Sequence, residues 1–327
     1  MDDAQIRHFE EQKPVAVIGA GLIGCSWASL FAASGMEVRV HDPRPDTSQL
    51  LPAFWEDVRP TLKLLGHDFA EAHTPNFVIC DTVAEAVEGA WLIKECIPER
   101  LDLKQSLYAQ IEPVLAPDAI VATSSSGLKL SDLQAFWTDP SRLIIAHPFN
   151  PPHLIPLVEL YGNDLTAPDI IPLAKAFFEG CGKVTITLKR EVPAHVANRL
   201  QAALWREAIH LVTDGVASVE DVDTAVWAGP GLRWAIMGPH MLLNLGGGEG
   251  GLRAYVGQFA DHYAEWWDDL GRPQLTQDTV DALVEGISQE AGSRDYRTLR
   301  AERDSQILAL LRSIRPNLRQ SAGATPV

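Results

Sequence analysis

Residues 14 to 42, PVAVIGAGLIGCSWASLFAASGMEVRVHD, constrain this chain more than any other stretch. Val15 to Ile18 is a short apolar run with the length and β-branched content of a buried strand. Gly19, Gly21 and Gly24 then complete a G-x-G-x-x-G pattern, a helical stretch runs through Ser34, Gly35 ends it, and Val38 to Val40 forms a second strand finishing at Asp42. Gly19 permits the tight turn, Gly21 lets backbone approach a pyrophosphate, and Gly24 lets helix and strand pack closely, with the first helical amides facing the phosphates. The six-residue pattern is weak by itself. Set between a strand and a helix, with an acid at the end of the next strand placed to accept both ribose hydroxyls, it predicts dinucleotide binding. Asp42 also repels a 2′-phosphate, which favours NAD over NADP. Arg44 has two readings, a solvated loop residue or a clamp for that phosphate.

The pattern continues as alternating strands and helices. Leu50, Phe54, Val58, Leu62 and Leu65 suit one apolar helix face in a helical, mixed segment from Pro45 to Thr74. Phe77 to Cys80 and Trp91 to Lys94 read as strands, the latter running into Glu95, and a helix follows over Arg100 to Leu115. Ile120 to Ala122 leads into Thr123, Ser124, Ser125, Ser126 and Gly127, a polar cluster at a strand's C-terminal end, where open α/β sheets bind ligands. Each of these hydroxyls taken alone reads more readily as a turn-former or helix cap than as a catalytic contact, and Ser131 reads as the cap of the next short helix. Lys183 to Leu188 alternates like a final strand. The first domain, 1–190, is therefore expected to be a doubly wound α/β nucleotide-binding domain.

Within it, IIAHPFNPPHLIPLVEL carries the candidate chemistry. A buried-strand run from Leu143 to Ala146 delivers His147 at its end, a proline-rich turn follows, and Glu159 then stands among Leu157, Val158 and Leu160. A carboxylate in such a run needs a partner. His147 is the nearest, and a carboxylate-oriented histidine is a recurrent general base. The bland alternative is a core histidine with a surface glutamate.

From Val192 onward the periodicity is helical, which makes 191–327 an all-α second domain. Pro193 suits a helix's first turn, and the apolar stripe from Val196 to Val212 ends near Gly215. Asn198 lies near that helix's start. Further helices are expected over Ser218 to Trp227, Arg253 to Asp269, Gln277 to Gly286 and from Ser293, with a fraying tail after Pro316. LGGGEGG reads as a loop or tight helix contact, since no strand precedes it and no lysine follows as a phosphate loop requires.

Charge and composition remove other classes. With 27 basic against 43 acidic residues and a formal charge of -16, the surface repels phosphate backbones and anionic lipid, so neither nucleic acid nor membrane is an expected partner. Met1 to Pro14 has no apolar signal core, no segment is apolar enough to span a bilayer, and the four cysteines have no metal-ligand spacing, so reduced thiols and a cytoplasmic location are expected.

GAGLIG with Asp42, KECIPERLDLK, TSSSGLKLSDL, AHPFNPPHLIPLVEL and VANRLQAALWREAIHLVTDG occur together and in order. Over nearly its whole length the chain so resembles the NAD-dependent L-3-hydroxyacyl-CoA dehydrogenase superfamily, and within it the branch of L-gulonate 3-dehydrogenase (lambda-crystallin) and L-carnitine 3-dehydrogenase. The resemblance implies a Rossmann-like domain followed by an all-α domain that forms a homodimer. It implies His147 as catalytic base, Glu159 as its partner, Ser126 and Asn198 on the reacting oxygen, and Glu95 near the nicotinamide end of the cofactor site. The GLRWAIMGP segment is similar to that branch, which makes Arg233 a candidate for a substrate carboxylate and Trp234 a candidate for a quaternary ammonium. Trp266 beside Trp267 lacks the intervening proline of the carnitine branch, which puts carnitine itself in doubt. The expected activity is NAD-dependent oxidation of the 3-hydroxyl of a small free L-3-hydroxy acid, carnitine-like or gulonate-like. The alternatives are a 3-hydroxyacyl-CoA dehydrogenase and a non-catalytic, crystallin-like NAD-binding protein.

Overall fold

The strand periodicities of the first half resolve into one eight-stranded sheet in the computed structural model, which describes residues 13–70 and 73–314. The strands are β1 (Val15–Ile18), β2 (Val38–His41), β3 (Phe77–Ile79), β4 (Leu92–Glu95), β5 (Ile120–Thr123), β6 (Leu143–Pro148), β7 (Leu157–Tyr161) and β8 (Val184–Thr187), in spatial order β3-β2-β1-β4-β5-β6-β7-β8. All neighbours run parallel except β6 and β7, which a proline-rich turn joins as an antiparallel pair. The order reverses between β1 and β4, the position at which such sheets bind ligands. Helices α1 (Leu22–Ala33), α2 (Thr47–Leu64), α3 (Val83–Val87), α4 (Leu101–Ile111), α5 (Leu130–Gln134) and α6 (Ile170–Gly180) connect the strands. Residues alternate between two apolar clusters because strand side chains point to opposite faces: Val15 and Val17 join Trp27, Phe31, Trp55 and Phe177, while Ala16 and Ile18 join Leu107, Ile111, Val121 and Ile145.

Two enclosed lysines brace this sheet. Lys94 Nζ donates to the carbonyls of Ala122 and Ala146 at 3.3 and 2.6 Å, lacing β4 to β5 and β6. Lys183 Nζ donates to the carbonyls of Pro152 and Ile155, which holds the turn between His147 and Glu159. Both ammonium groups lie near the Trp27 ring, 5.2 and 5.1 Å from its centroid. Burial pushes Lys94 down to about 8 and Lys183 down to about 7.

The packing divides the described residues into two units, Arg199–Arg303 being the second and the other described residues the first. The later helices are α7 (Ala197–Thr213), α8 (Val219–Val226), α9 (Pro239–Gly246), α10 (Gly251–Asp269), α11 (Gln277–Ala291) and α12 (Tyr296–Ile314). In the second unit α8 packs on α11 so closely that a Cβ at Gly286 would fall 2.3 Å from Val219. The glycine-rich segment is a tight helix contact, with Gly246 against the Tyr255 ring and Leu252 N–H on the Asn244 side chain at 2.9 Å. Trp205, Val284, Ile287 and Leu275 stay more than half exposed along an apolar groove.

Three local expectations are corrected. The helical segment expected to reach Thr74 ends at Leu64, because Gly66 at φ 91° turns the chain left-handed and its N–H takes the Lys63 carbonyl. Ser131 does not cap α5, whose N-cap position is Lys129; its N–H and hydroxyl go instead to Glu191 at 3.1 and 2.9 Å. Pro193 is not in the first turn of α7, which begins at Ala197, because Ala194 and His195 adopt positive φ before it. Among the described residues no helix is long and apolar enough to cross a membrane, and all four cysteines are free thiols. The expectations for the residues before Lys13 and for the tail after Pro316 lie outside the described residues.

Candidate active site

The antiparallel pairing of β6 with β7 sets His147 directly opposite Glu159, and residues so paired present their side chains to the same face. His147 Nδ1 and Glu159 Oε2 are 2.8 Å apart. Glu159 is fully enclosed, and its second oxygen accepts the N–H groups of Val196 and Ala197 at 2.9 and 3.0 Å. Burial alone would push this carboxyl up, but the bonds from His147, Ala197 and Val196 outweigh it and hold the group below the usual carboxylate range. An ionised carboxylate only accepts, so the histidine proton sits on Nδ1 and Nε2 is left as a proton acceptor.

The next strand over ends in the serine cluster, and here one acid organises the turn. Glu99 Oε1 accepts from Ser125 Oγ at 2.6 Å and from the N–H groups of Ser126, Gly127 and Leu128 at 2.9, 2.7 and 3.1 Å. Burial pushes the Glu99 carboxyl up, and these donors together with Lys104 hold it lower. Ser125 is thereby consumed as a structural hydroxyl, whereas the Ser126 hydroxyl has no hydrogen-bond partner among the described residues. Asn198 follows directly on Ala197, whose N–H Glu159 holds, and so stands in the first turn of α7.

Glu95, expected beside the nicotinamide, is 0% exposed at the end of β4. Its oxygens are committed to Lys104 at 2.7 and 2.8 Å, to the hydroxyls of Tyr108 and Thr123, and to Ile97 N–H. The enclosed carboxylate bears on the cleft only through what it holds. Lys104, 3.6 Å from Glu99, links it to the serine turn. Glu99, Lys104 and His195 are the residues that reading the sequence missed. Glu99 lies four residues beyond Glu95, one position before the helix expected over Arg100 to Leu115, and no local signal marks it as the acid that gathers the serine-turn amides.

The glycine turn fits a dinucleotide on grounds internal to this fold. Gly19 has φ 94°, and a Cβ there would lie 2.8 Å from the Cys96 carbonyl oxygen. At Gly24 a Cβ would lie 1.7 Å from the Gly19 carbonyl oxygen, whereas at Gly21 it would meet nothing within 4 Å. Protein packing thus demands glycine at the first and last positions. The middle one opens onto free space at the start of α1, where no side chain caps the helix and no acid opposes a phosphate. Asp42 Oδ2 accepts Ala20 N–H at 2.6 Å and its Oδ1 accepts Arg44 Nε at 2.9 Å, while Arg44 Nη2 donates to the Ala20 carbonyl. Arg44 and Ala20 more than offset the burial that pushes the Asp42 carboxyl up. Arg44 therefore clips the acid to the glycine turn. Gly24→Ala is expected to weaken NADH affinity by at least about a hundredfold or to prevent folding, because helix and strand must separate; fluorescence titration together with circular dichroism checks both outcomes, and wild-type affinity in a folded variant would contradict the packing described.

Two family models match the chain in succession: the 3-hydroxyacyl-CoA dehydrogenase NAD binding domain over residues 14–192 and the C-terminal domain of the same family over residues 195–298. L-carnitine dehydrogenase from Streptomyces coelicolor is 43% identical over 305 residues, covering 93% of this chain and 95% of that protein. Its namesake from Pseudomonas putida is 39% identical over 306 residues, with 93% and 95% covered. Among solved structures, an NAD+-dependent dismutase, 5-formyl-3-hydroxy-2-methylpyridine 4-carboxylic acid 5-dehydrogenase, superposes with TM-score 0.78 at 29% identity over 92% of this chain and 98% of its own. A 3-hydroxyacyl-CoA dehydrogenase from Archaeoglobus fulgidus shares the fold, with TM-score 0.65 at 23% identity over 92% and 99% of the two chains. With the glycine turn, the clipped Asp42 and the histidine–carboxylate pair in place, the chain belongs to the 3-hydroxyacyl-CoA dehydrogenase family and is an NAD-dependent dehydrogenase.

Proposed function

We propose that this enzyme oxidises the 3-hydroxyl of a small free L-3-hydroxy acid, with L-carnitine first among the candidates and gulonate-like acids next. The observation that carries the reading is the His147–Glu159 pair, with Nδ1 held at 2.8 Å and Nε2 left to take a proton. Bound NAD supplies the hydride acceptor. His147 Nε2 removes the hydroxyl proton, and Glu159 stabilises the imidazolium that results. Ser126 and Asn198 hold the reacting oxygen in line, Arg233 meets the substrate carboxylate, and Trp234 offers an aromatic face to a quaternary ammonium. Gly19, Gly21, Gly24 and Asp42 bind the cofactor, with Glu95 acting through the groups it holds.

Identities of 39% to 43% over most of the chain with several bacterial L-carnitine dehydrogenases support the free acid. So does the poverty of cations near the cofactor's adenosine side. Between Pro45 and His67 the basic residues are Arg59 and Lys63, and Arg59 is paired with Glu56 at 2.9 Å, a thin provision for the phosphates of a CoA thioester. Residues 1–190 serve the cofactor, and 191–327 serve the substrate and a homodimer contact, for which the exposed apolar groove of the second unit is the support. A cytoplasmic setting suits the free thiols.

The test is a comparison of L-carnitine, L-gulonate, L-3-hydroxybutyrate and L-3-hydroxybutyryl-CoA by NAD reduction. The expected result is a kcat/KM for L-carnitine at least on the order of a hundredfold above that for the thioester. A preference for the thioester would overturn the free-acid reading, and no NADH from any of the four would favour the non-catalytic alternative.

A further inference from the structure

Ala194 (φ 62°) and His195 (φ 52°) are the non-glycine residues with left-handed backbone among those described, and they are consecutive. Side chains with a Cβ are strained there and hold the conformation only where surrounding contacts impose it. The contacts can be named. The turn brings the N–H groups of Val196 and Ala197 onto Glu159 Oε1 at 2.9 and 3.0 Å. The His195 imidazole, 5% exposed, meets the Ser125 carbonyl through Nε2 at 2.9 Å. A carbonyl only accepts, so the His195 proton is on Nε2. The same ring lies 5.0 Å from the His147 ring, centroid to centroid, tilted by 48°.

One residue thus touches the turn after β5, the base on β6 and, through its own backbone turn, the acid on β7. We propose that His195 is a positioning residue, a cross-tie that keeps the Ser126 turn and the Glu159 carboxylate in register around His147, and that it works only as the neutral imidazole. This rests on His147 being the base. The groups facing His195 are His147 from β6, Glu159 from β7, Glu99 from the loop after β4 and the Ser125 carbonyl. Burial and the charge on His147 disfavour the imidazolium, the Ser125 carbonyl and the two acids favour it, and the balance holds His195 below the ordinary histidine value. A second imidazolium against the His147 ring would oppose the charge that His147 acquires each time it takes a proton.

The test uses His195→Ala, His195→Gln and His195→Phe beside His147→Ala, assayed with whichever of the four compounds above the wild type oxidises fastest. Glutamine can still donate to the Ser125 carbonyl; phenylalanine keeps the ring contact and loses the bond. His195→Ala should lower kcat on the order of tenfold to a hundredfold, a misplacement effect, with NADH affinity within about twofold of wild type. His195→Gln should recover most of that loss. On the acid side, log kcat/KM should fall with a limiting slope approaching about 2 in the wild type and about 1 in His195→Gln, since one of two groups that must be neutral is gone. Wild-type kcat in His195→Ala overturns the cross-tie, equal impairment of the alanine and glutamine variants overturns the donor role, and an unchanged acid slope overturns the neutral-form requirement. Should His195→Ala fail to bind NADH, the contrast between His195→Gln and His195→Phe decides: equal kcat in those two overturns the cross-tie. Full turnover in His147→Ala would instead remove the base reading itself.

Discussion

His147→Ala is expected to lower kcat by about a thousandfold, within the range that general base catalysis supplies, while leaving NADH affinity near the wild-type value. The two effects separate because the base and the cofactor turn are built from different strands. His147 is held by Glu159 across β6 and β7, whereas Asp42 is held by Ala20 and Arg44 beyond β1 and β2. Steady-state kinetics with a fluorescence titration of NADH measures both, and undiminished turnover would end the assignment. Glu159→Gln is a stringent companion variant. The carboxylate accepts on both oxygens, from His147 on one and from Val196 and Ala197 on the other. An amide has one accepting end, so it must turn a donor toward either the ring or the start of α7. The stability deficit of this variant should depend on pH in a definite sense. The native Glu159 carboxyl is held below its ordinary value, so its contribution is complete above about pH 4 to 5 and is lost as pH falls through the lowered native value. The gap between wild type and variant should therefore close as pH falls through the lowered Glu159 value.

Lys104→Met should destabilise the protein by about 3 to 5 kcal/mol, the range for removing one partner of a buried ion pair. Lys104 is 1% and Glu95 0% exposed, and the ammonium contacts both carboxylate oxygens at 2.7 and 2.8 Å. Methionine fills much of the space but leaves a charge that water cannot reach. Tyr108 and Thr123 still donate to Glu95, which sets the estimate at the lower end. Thermal unfolding would register this as a fall of roughly 10 °C for a domain of this size. A variant as stable as wild type would show that hydrogen bonds alone satisfy Glu95. Because Lys104 also lies 3.6 Å from Glu99, a drop in kcat beyond that explained by unfolding would trace the loss to the serine turn.

Much of this architecture is legible in the residues because it depends on short-range rules. Val15 to Ile18, the glycines after it and Asp42 read correctly as strand, turn, helix and strand end, since each is dictated by chain sterics and the period of burial within one βαβ unit. His147 and Glu159 read as a pair because a single hairpin-like turn separates two apolar runs, and the antiparallel register then brings them together. Glu95 shows where such reading runs out. The sequence places an acid at the end of β4, but whether its carboxylate looks into the cleft or into the core depends on Lys104 and Tyr108, from a helix that packs back against the strand.

The chain's own order of residues determined the doubly wound nucleotide fold, the glycine turn, the acid that follows it and the histidine with its carboxylate. All of these follow from local sterics, from burial periodicity and from the rule that an ionisable group in an apolar strand needs a partner. Only the tertiary structure decided that Glu99 gathers the serine turn, that Arg44 clips Asp42, and that His195 sits against His147 behind a left-handed turn. Arg44 and Asp42 stand two residues apart, and what the fold adds there is the bond to the Ala20 carbonyl, whereas the Glu99 and His195 contacts join residues from different crossovers of the sheet. Their geometry is set by how strands β4 to β7 stand side by side, a relation that no spacing along the chain encodes.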